Sequence, residues 1–235
     1  VAQLTRRQPF FDRPCGLLDS RICRLCRLLT SFTSFLDEAE QRYGICLIDS
    51  QFLALASAVE ELEHLINAPS TRELDLQDFF ARHRDFLLTD EHRDAHPHLV
   101  LSDGQSESLI PDFVLEPTRP SGLCDLVELK LPGAQTYVLK KGRQRFSAAV
   151  LEAAAQLREY NAFFDEQGNR EAFHRSYGLH AFRPRMIVII GRRGPVDPLV
   201  ARRIESDVPH LQLRTYDDLV ERMRTRIKRS TGRRL

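Results

Sequence analysis

The chain has 235 residues, of which 42% are apolar and 29% charged, and a formal net charge of +1. That composition fits a globular protein with one substantial core, or one core and a small appendage. No apolar run approaches the roughly 20 residues that cross a bilayer as a helix, and the N-terminus lacks the apolar core of a secretory signal. A cytoplasmic location without a membrane partner is therefore expected, and a start at Val1 rather than Met leaves room for an upstream piece.

The charge is unevenly spread. Residues 170–235 carry 16 Lys and Arg against 7 Asp and Glu, whereas the first 169 carry 18 against 26. A basic C-terminal third suits a polyanion such as nucleic acid, although an arginine-rich helix can equally be a solvated face. The five cysteines are an odd number, and with no signal sequence free thiols are expected. Cys23 and Cys26, with Cys15 and Cys46 further off, have the spacing of a zinc pair. Yet Ile22, Leu25, Cys26 and Leu29 recur at helical spacing, which reads as small buried hydrophobes.

In chain order, residues 17–66 read as helical, with Gly44 as a C-cap and a second helix from about Ser50 to Asn67. Ala68-Pro69-Ser70 breaks the pattern, so a helical N-terminal segment, 1–68, precedes a domain at 69–235. Ser70-Thr71 before Glu73 opens a helix through LDLQDFFARHRDFLL. Strands are expected at about 97–102, 109–115 and 123–131, then a long helix over 143–166 ended by Gly168-Asn169. The run RMIVIIG is continuously apolar, as in a strand covered on both faces. A short helix at 197–206, a strand LQLRTY and a helix DDLVERMRTRIKRS complete the chain. Three successive strands can form a meander, over which the long helix crosses to deliver a fourth, buried strand.

Two of these strands carry chemistry. SLIPDFVLEP puts Asp112 at the head of one, and LCDLVELKLP puts Glu128 and Lys130 on the next, two apart and so on one face. The turn PTRPSG between them favours a hairpin that brings Asp112 alongside. Two carboxylates and a lysine at this spacing suit a metal-dependent phosphodiesterase. The plainer reading is an exposed salt-bridged strand, but the other residues of DLVELKLP are apolar enough for a central strand, where polar groups are costly unless paired or functional. His92, His96 and His98 cluster in EHRDAHPHL at conceivable metal-ligand spacing, but read more simply as a polar loop. Lys140, Lys141, Arg143 and Arg145 before the long helix, and Arg192-Arg193 after the buried strand, are candidates for phosphate contacts.

The order αβββαβ, with Pro-Asp on the second strand and Glu-x-Lys on the third, resembles the PD-(D/E)xK restriction-endonuclease-like superfamily. LQDFFARHRDFLL, IPDFVLEP, DLVELKLP, AAAQLREY, MIVIIGRR and LRTYDDLVERM together resemble the Shedu family of anti-phage nucleases over about residues 70–229. The resemblance implies a mixed α/β sheet flanked by helices and a Mg²⁺- or Mn²⁺-dependent DNA endonuclease of anti-phage or anti-plasmid defence. It implies Asp112, Glu128, Lys130 and Gln156 as catalytic residues. Asp112, Glu128 and the Leu129 carbonyl would hold the metal, with Glu73 as a further acid in competition with Asp75 and Asp78. Double-stranded DNA and a homo-oligomer, dimer or tetramer, are the implied partners. Where such families have Asn-Pro or His-Pro in the lead-in block, this chain has His83-Arg84. Residues 1–66 match no part of the family. A catalytically silent nucleic-acid-binding module on the same fold is the alternative, and a partner protein whose carboxylates only form salt bridges is a third reading.

Overall fold

The computed structural model describes residues 50–104 and 107–232; the expectations for Cys15, Cys23, Cys26, Cys46 and the helix before Gly44 lie outside them. Helix α1 (Ser50–Asn67) and helix α2 (Glu73–Arg82) are followed by a 3₁₀ turn at Arg84–Phe86. Strands β1 (His92–Pro97), β2 (Phe113–Pro117) and β3 (Asp125–Leu129) come next. A hairpin of β4 (Tyr137–Lys140) and β5 (Arg143–Phe146) then leads into helices α3 (Ala148–Phe163) and α4 (Gln167–Tyr177). Strand β6 (Met186–Ile189), helix α5 (Pro198–Glu205), strand β7 (Leu211–Arg214) and helix α6 (Tyr216–Gly232) close the chain.

Five strands make one sheet in the order β1-β2-β3-β6-β7. The first three form the expected antiparallel meander, and β6 returns parallel to β3 with Glu128 opposite Val188. Strand β7 then adds parallel to β6. The alternation of side chains sorts the core into two layers. Phe113, Leu115, Val127, Leu129, Ile187 and Ile189 pack on one face against α1, α2 and α6. Val114, Leu126, Met186, Val188 and Ile190 pack on the other against α3 and α4. Strands β3 and β6 are buried on both faces, which is why MIVI and DLVEL are near-continuous apolar runs. The apolar face of α1, with Ala58, Val59, Leu62 and Ile66, belongs to the first layer even though it precedes the Pro69 break.

Several boundaries differ from those read in the sequence. The first strand is 92–97 rather than 97–102, and residues 101 and 109 form only an isolated bridge. EHRDAHPH reads as a loop because its polar residues mask a strand with a bulge between His92 and Asp94. Residues 143–146, expected at the start of the long helix, are instead the second strand of a hairpin. The helix begins after Ser147, whose hydroxyl accepts the Val150 N–H as an N-cap. Gly168 does not end a helix but lies in the first turn of α4, which closes at Gly178 in the left-handed conformation.

At the outer end of β3, the buried Asp125 accepts from His92 Nε2 at 2.8 Å and from Arg185 Nε at 2.9 Å. Burial opposes its charge, but these bonds outweigh burial and hold its pKa below the ordinary carboxylate value. The network ties β1, β3 and the lead-in to β6 together at the end of the sheet away from Lys130.

Candidate active site

The other end of β3 gathers the expected residues. Asp112 immediately precedes β2, is 8% exposed, and stands beside β3 as a side-chain extension of the ladder: its Oδ2 accepts the Leu129 N–H at 2.7 Å. Its Oδ1 accepts from Gln77 Nε2 of α2. Glu128 is 3% exposed, and Lys130 Nζ donates to its Oε1 at 2.9 Å. The same ammonium donates to Gln156 Oε1 of α3 at 3.4 Å. Gln156 Nε2 donates to the Tyr160 hydroxyl at 2.8 Å, and that hydroxyl donates to the Ile110 carbonyl at 3.2 Å. Asp112, Glu128, Lys130 and Gln156 are thus brought into one connected cluster.

Sequence reasoning missed three supports. Gln77 lies one helical turn after Glu73, on the same side of α2, which is the signal that could have found it. Tyr160 stood in the Gln-x-x-x-Tyr spacing without an assigned role. Tyr216, fully buried at the start of α6, donates its hydroxyl to the Lys130 carbonyl at 2.6 Å and fixes the backbone beneath the lysine. Tyr216→Phe leaves that carbonyl without its hydroxyl donor, an expected cost of about 1–2 kcal/mol, measured by urea unfolding. An unchanged unfolding midpoint would mean that the bond carries no net stability.

The electrostatics of the cluster are unbalanced. Burial, joined by the Asp112 carboxylate, raises Glu128 to about 7. Burial also raises Asp112, although the Leu129 N–H, Lys130 and Gln77 work against it. The charge of Glu73, at the first residue of α2, adds to both shifts. Burial opposes the charge on Lys130, but its bond to Glu128 and the surrounding carboxylates hold its ammonium above the ordinary lysine value. Three carboxylates therefore face one ammonium, and Glu128 Oε2 is buried without a hydrogen-bond partner. An orphaned, buried carboxylate oxygen of this kind fits a hard cation such as Mg²⁺ or Mn²⁺. Leu129 turns its N–H toward Asp112, and a strand residue's N–H and C=O share one edge, so its carbonyl faces the same side.

The remaining candidates lie elsewhere. Lys140, Lys141, Arg143 and Arg145 are exposed on the β4–β5 hairpin. Arg192 pairs with Asp217 at 2.8 Å, and Arg193 with Asp218 at 2.6 Å and Glu221 at 2.7 Å. Both arginines thus fasten the loop after β6 to the first turns of α6. The three histidines do not converge. His92 is buried on Asp125, His96 meets Glu116 at 3.1 Å, and His98 lies near the Phe113 ring. Among the described residues, Asp94, His96 and Glu116 offer ligand atoms within 4.8 Å of one another and could hold a metal ion. Their oxygens are already engaged: Arg84 spans both oxygens of Asp94 at 3.1 Å, and Arg93 binds Glu116. No described helix is long and apolar enough to cross a membrane.

A mixed α/β domain with a buried, lysine-paired carboxylate cluster at the end of its central strand is the class that fold and site define. The family model for Shedu protein SduA, C-terminal, matches residues 70–220, and the chain belongs to that family. The match runs from the loop before α2 into α6 and takes in every residue of the cluster. No curated protein matches the chain.

Proposed function

We propose that this protein is a metal-dependent DNA endonuclease of anti-phage defence, with Asp112, Glu128, Lys130 and Gln156 as its catalytic residues. The observation that carries the reading is the unpartnered Oε2 of Glu128, buried beside Asp112 and two strand positions from Lys130. A structural salt bridge has no use for a third carboxylate and an orphaned oxygen; a cation site does. Support also comes from membership of the Shedu family and from the topology. The antiparallel meander β1–β3 and the parallel β6 are compatible with the αβββαβ order of restriction-endonuclease-like nucleases, with the β4–β5 hairpin and α4 as insertions.

Asp112, Glu128 and the Leu129 carbonyl would hold a divalent cation, with Glu73 at the margin. When bound, such a cation lowers the pKa of its water and offsets negative charge on a phosphodiester. The chain's own residues supply the rest. Gln77 and the Leu129 N–H fix the Asp112 carboxylate in one orientation. Lys130 keeps its proton at neutral pH, so it acts as a cation: it stabilises charge developing on the scissile phosphate. Gln156, held by Tyr160, steadies the ammonium and offers its amide edge to water or phosphate. One site cuts one strand, so a symmetric homo-oligomer acting on double-stranded DNA is the arrangement that cuts both.

The test is incubation of the purified protein with linear and supercoiled DNA in Mg²⁺ or Mn²⁺, beside an EDTA control. Nicking or cutting that requires the metal is the expected result. DNA binding without cutting in every metal tested would sink the nuclease reading and leave a binding module on the same fold.

A further inference from the structure

We propose that the β4–β5 ribbon is the arm with which this domain grips duplex DNA, its Lys140, Arg143 and Arg145 face lying against the backbone phosphates. The pairing register carries this assignment. Tyr137 opposes Phe146, Val138 opposes Arg145, Leu139 opposes Gln144 and Lys140 opposes Arg143. Side chains alternate along a strand, so Tyr137 and Phe146 share one face while Lys140, Arg143 and Arg145 share the other. The first face is the anchor. The two rings stack with centroids 5.7 Å apart, Phe146 is buried in the α3-side core, and the Tyr137 hydroxyl donates to Glu205 of α5 at 2.7 Å. The opposite face holds three cations, and Lys141 adds a fourth at the tip.

This arrangement is costly for the free protein. Like charges directly opposite each other destabilise a strand pair, and Lys140 stands directly opposite Arg143. The segment 137–146 contains no acid to compensate. Six arginines elsewhere, Arg84, Arg93, Arg185, Arg192, Arg193 and Arg224, each meet a carboxylate. Among the described residues, no carboxylate pairs with the four ribbon cations. Unshared positive charge on an exposed ribbon is what a polyanion requires.

Shape favours duplex DNA in particular. Lys141 and Gly142 both have positive φ, 50° and 72°, the signature of a two-residue turn whose twist matches its strands. The arm is therefore a short, stiff, two-stranded ribbon, an element that the major groove of B-form DNA admits, whereas the deep, narrow groove of A-form RNA does not. Its place in the chain also fits. The ribbon lies between β3, which bears Glu128 and Lys130, and α3, which bears Gln156. The ribbon is thus the connection between the two segments that carry the proposed active site. The role in cutting rests on the nuclease reading; the docking role does not.

The experiment measures duplex DNA binding by fluorescence anisotropy in EDTA, so that no cutting occurs, over a range of salt concentrations. The full chain is compared with a variant carrying Lys140→Ala, Lys141→Ala, Arg143→Ala and Arg145→Ala. Each phosphate contact contributes about 0.9 to the slope of log affinity against log salt. The expected result is a slope shallower by about 3, with affinity at least about tenfold weaker at moderate salt. Arg145→Ala alone should lower the slope by about 1, which keeps the test sound if the fourfold variant folds poorly. Arg143→Lys with Arg145→Lys should preserve the slope. A folded fourfold variant with unchanged slope and affinity would overturn the arm. So would a loss confined to duplex RNA or to an acidic polypeptide, with duplex DNA unaffected. Wild-type protein that binds DNA through the arm and never cuts would refute the nuclease reading alone. A ribbon variant that cuts with unchanged KM would refute the arm alone.

Discussion

Lys130→Ala should lower metal-dependent DNA cutting by about two to three orders of magnitude, the usual cost of removing one preorganised donor from a developing oxyanion. DNA binding in EDTA should stay within about threefold of wild type, since one shielded lysine contributes little to a salt-dependent interface. The reason for the asymmetry is local. Lys130 Nζ is held between Glu128 Oε1 and Gln156 Oε1, with a side chain only 18% exposed. It is placed to meet charge at one point rather than to hold the length of a duplex. Removing the ammonium also leaves Glu128 buried without its cation, so Lys130→Arg is the necessary companion: it keeps the charge but changes the geometry. If cutting follows geometry, the arginine variant recovers little; if it follows charge alone, most activity returns. A drop of less than about tenfold in Lys130→Ala would remove the lysine from the mechanism.

The second large effect concerns Glu128. In the folded chain its carboxyl keeps a proton up to about pH 7, chiefly because it is buried and secondly because Asp112 is near. In the unfolded chain the proton leaves near the ordinary value of 4.5. Between those values the folded state binds more protons than the unfolded state, so stability falls as pH rises. The penalty is absent below about pH 4.5 and complete above about pH 7, where it amounts to roughly 3 kcal/mol. Glu128→Gln removes the titration. Urea unfolding in EDTA should therefore show the wild type losing roughly 3 kcal/mol relative to Glu128→Gln between pH 4.5 and pH 8. Asp125 and the other shifted groups outside the cluster are common to both proteins and cancel in the difference. Adding Mg²⁺ or Mn²⁺ at pH 8 should restore the wild type, by about 2.7 kcal/mol at a hundredfold excess over Kd, and leave the variant unmoved. Restoration should fade below pH 7, because a bound cation must displace the Glu128 proton. Parallel stability profiles for the two proteins in EDTA would contradict the raised carboxyl, and equal metal responses would move the cation elsewhere. Asp94, His96 and Glu116 would then be the next place to look.

Much of this site was legible in the chain because it depends on short-range rules. The two-residue period of a strand puts Glu128 and Lys130 on one face wherever β3 lies, and Pro111-Asp112 before an apolar run marks the start of a strand. Continuous burial of MIVIIG announced a strand covered on both sides. Less was legible where polarity misled. His92–Pro97 is a strand with polar residues because it is the edge of the sheet, and its ionic pairs with β2 replace apolar packing. The β4–β5 ribbon has four cations and a Lys-Gly tip, a pattern that composition alone cannot separate from a loop or the solvated start of a helix.

The sequence by itself determined the residue types, the three-strand meander with a later buried strand, and the shared face of Glu128 and Lys130, all of which follow from local period and turn chemistry. Tertiary structure alone decided three things. Gln77, distant in sequence, became a ligand of Asp112 because α2 packs across the end of β3. Arg192 and Arg193 became fasteners of α6 because Asp217, Asp218 and Glu221 lie within reach of the loop after β6. Glu128 acquired its raised pKa because β2, β6 and α3 together exclude water from one face of a central strand. Desolvation and long-range partners are properties of a packed environment, and no spacing along the chain encodes them.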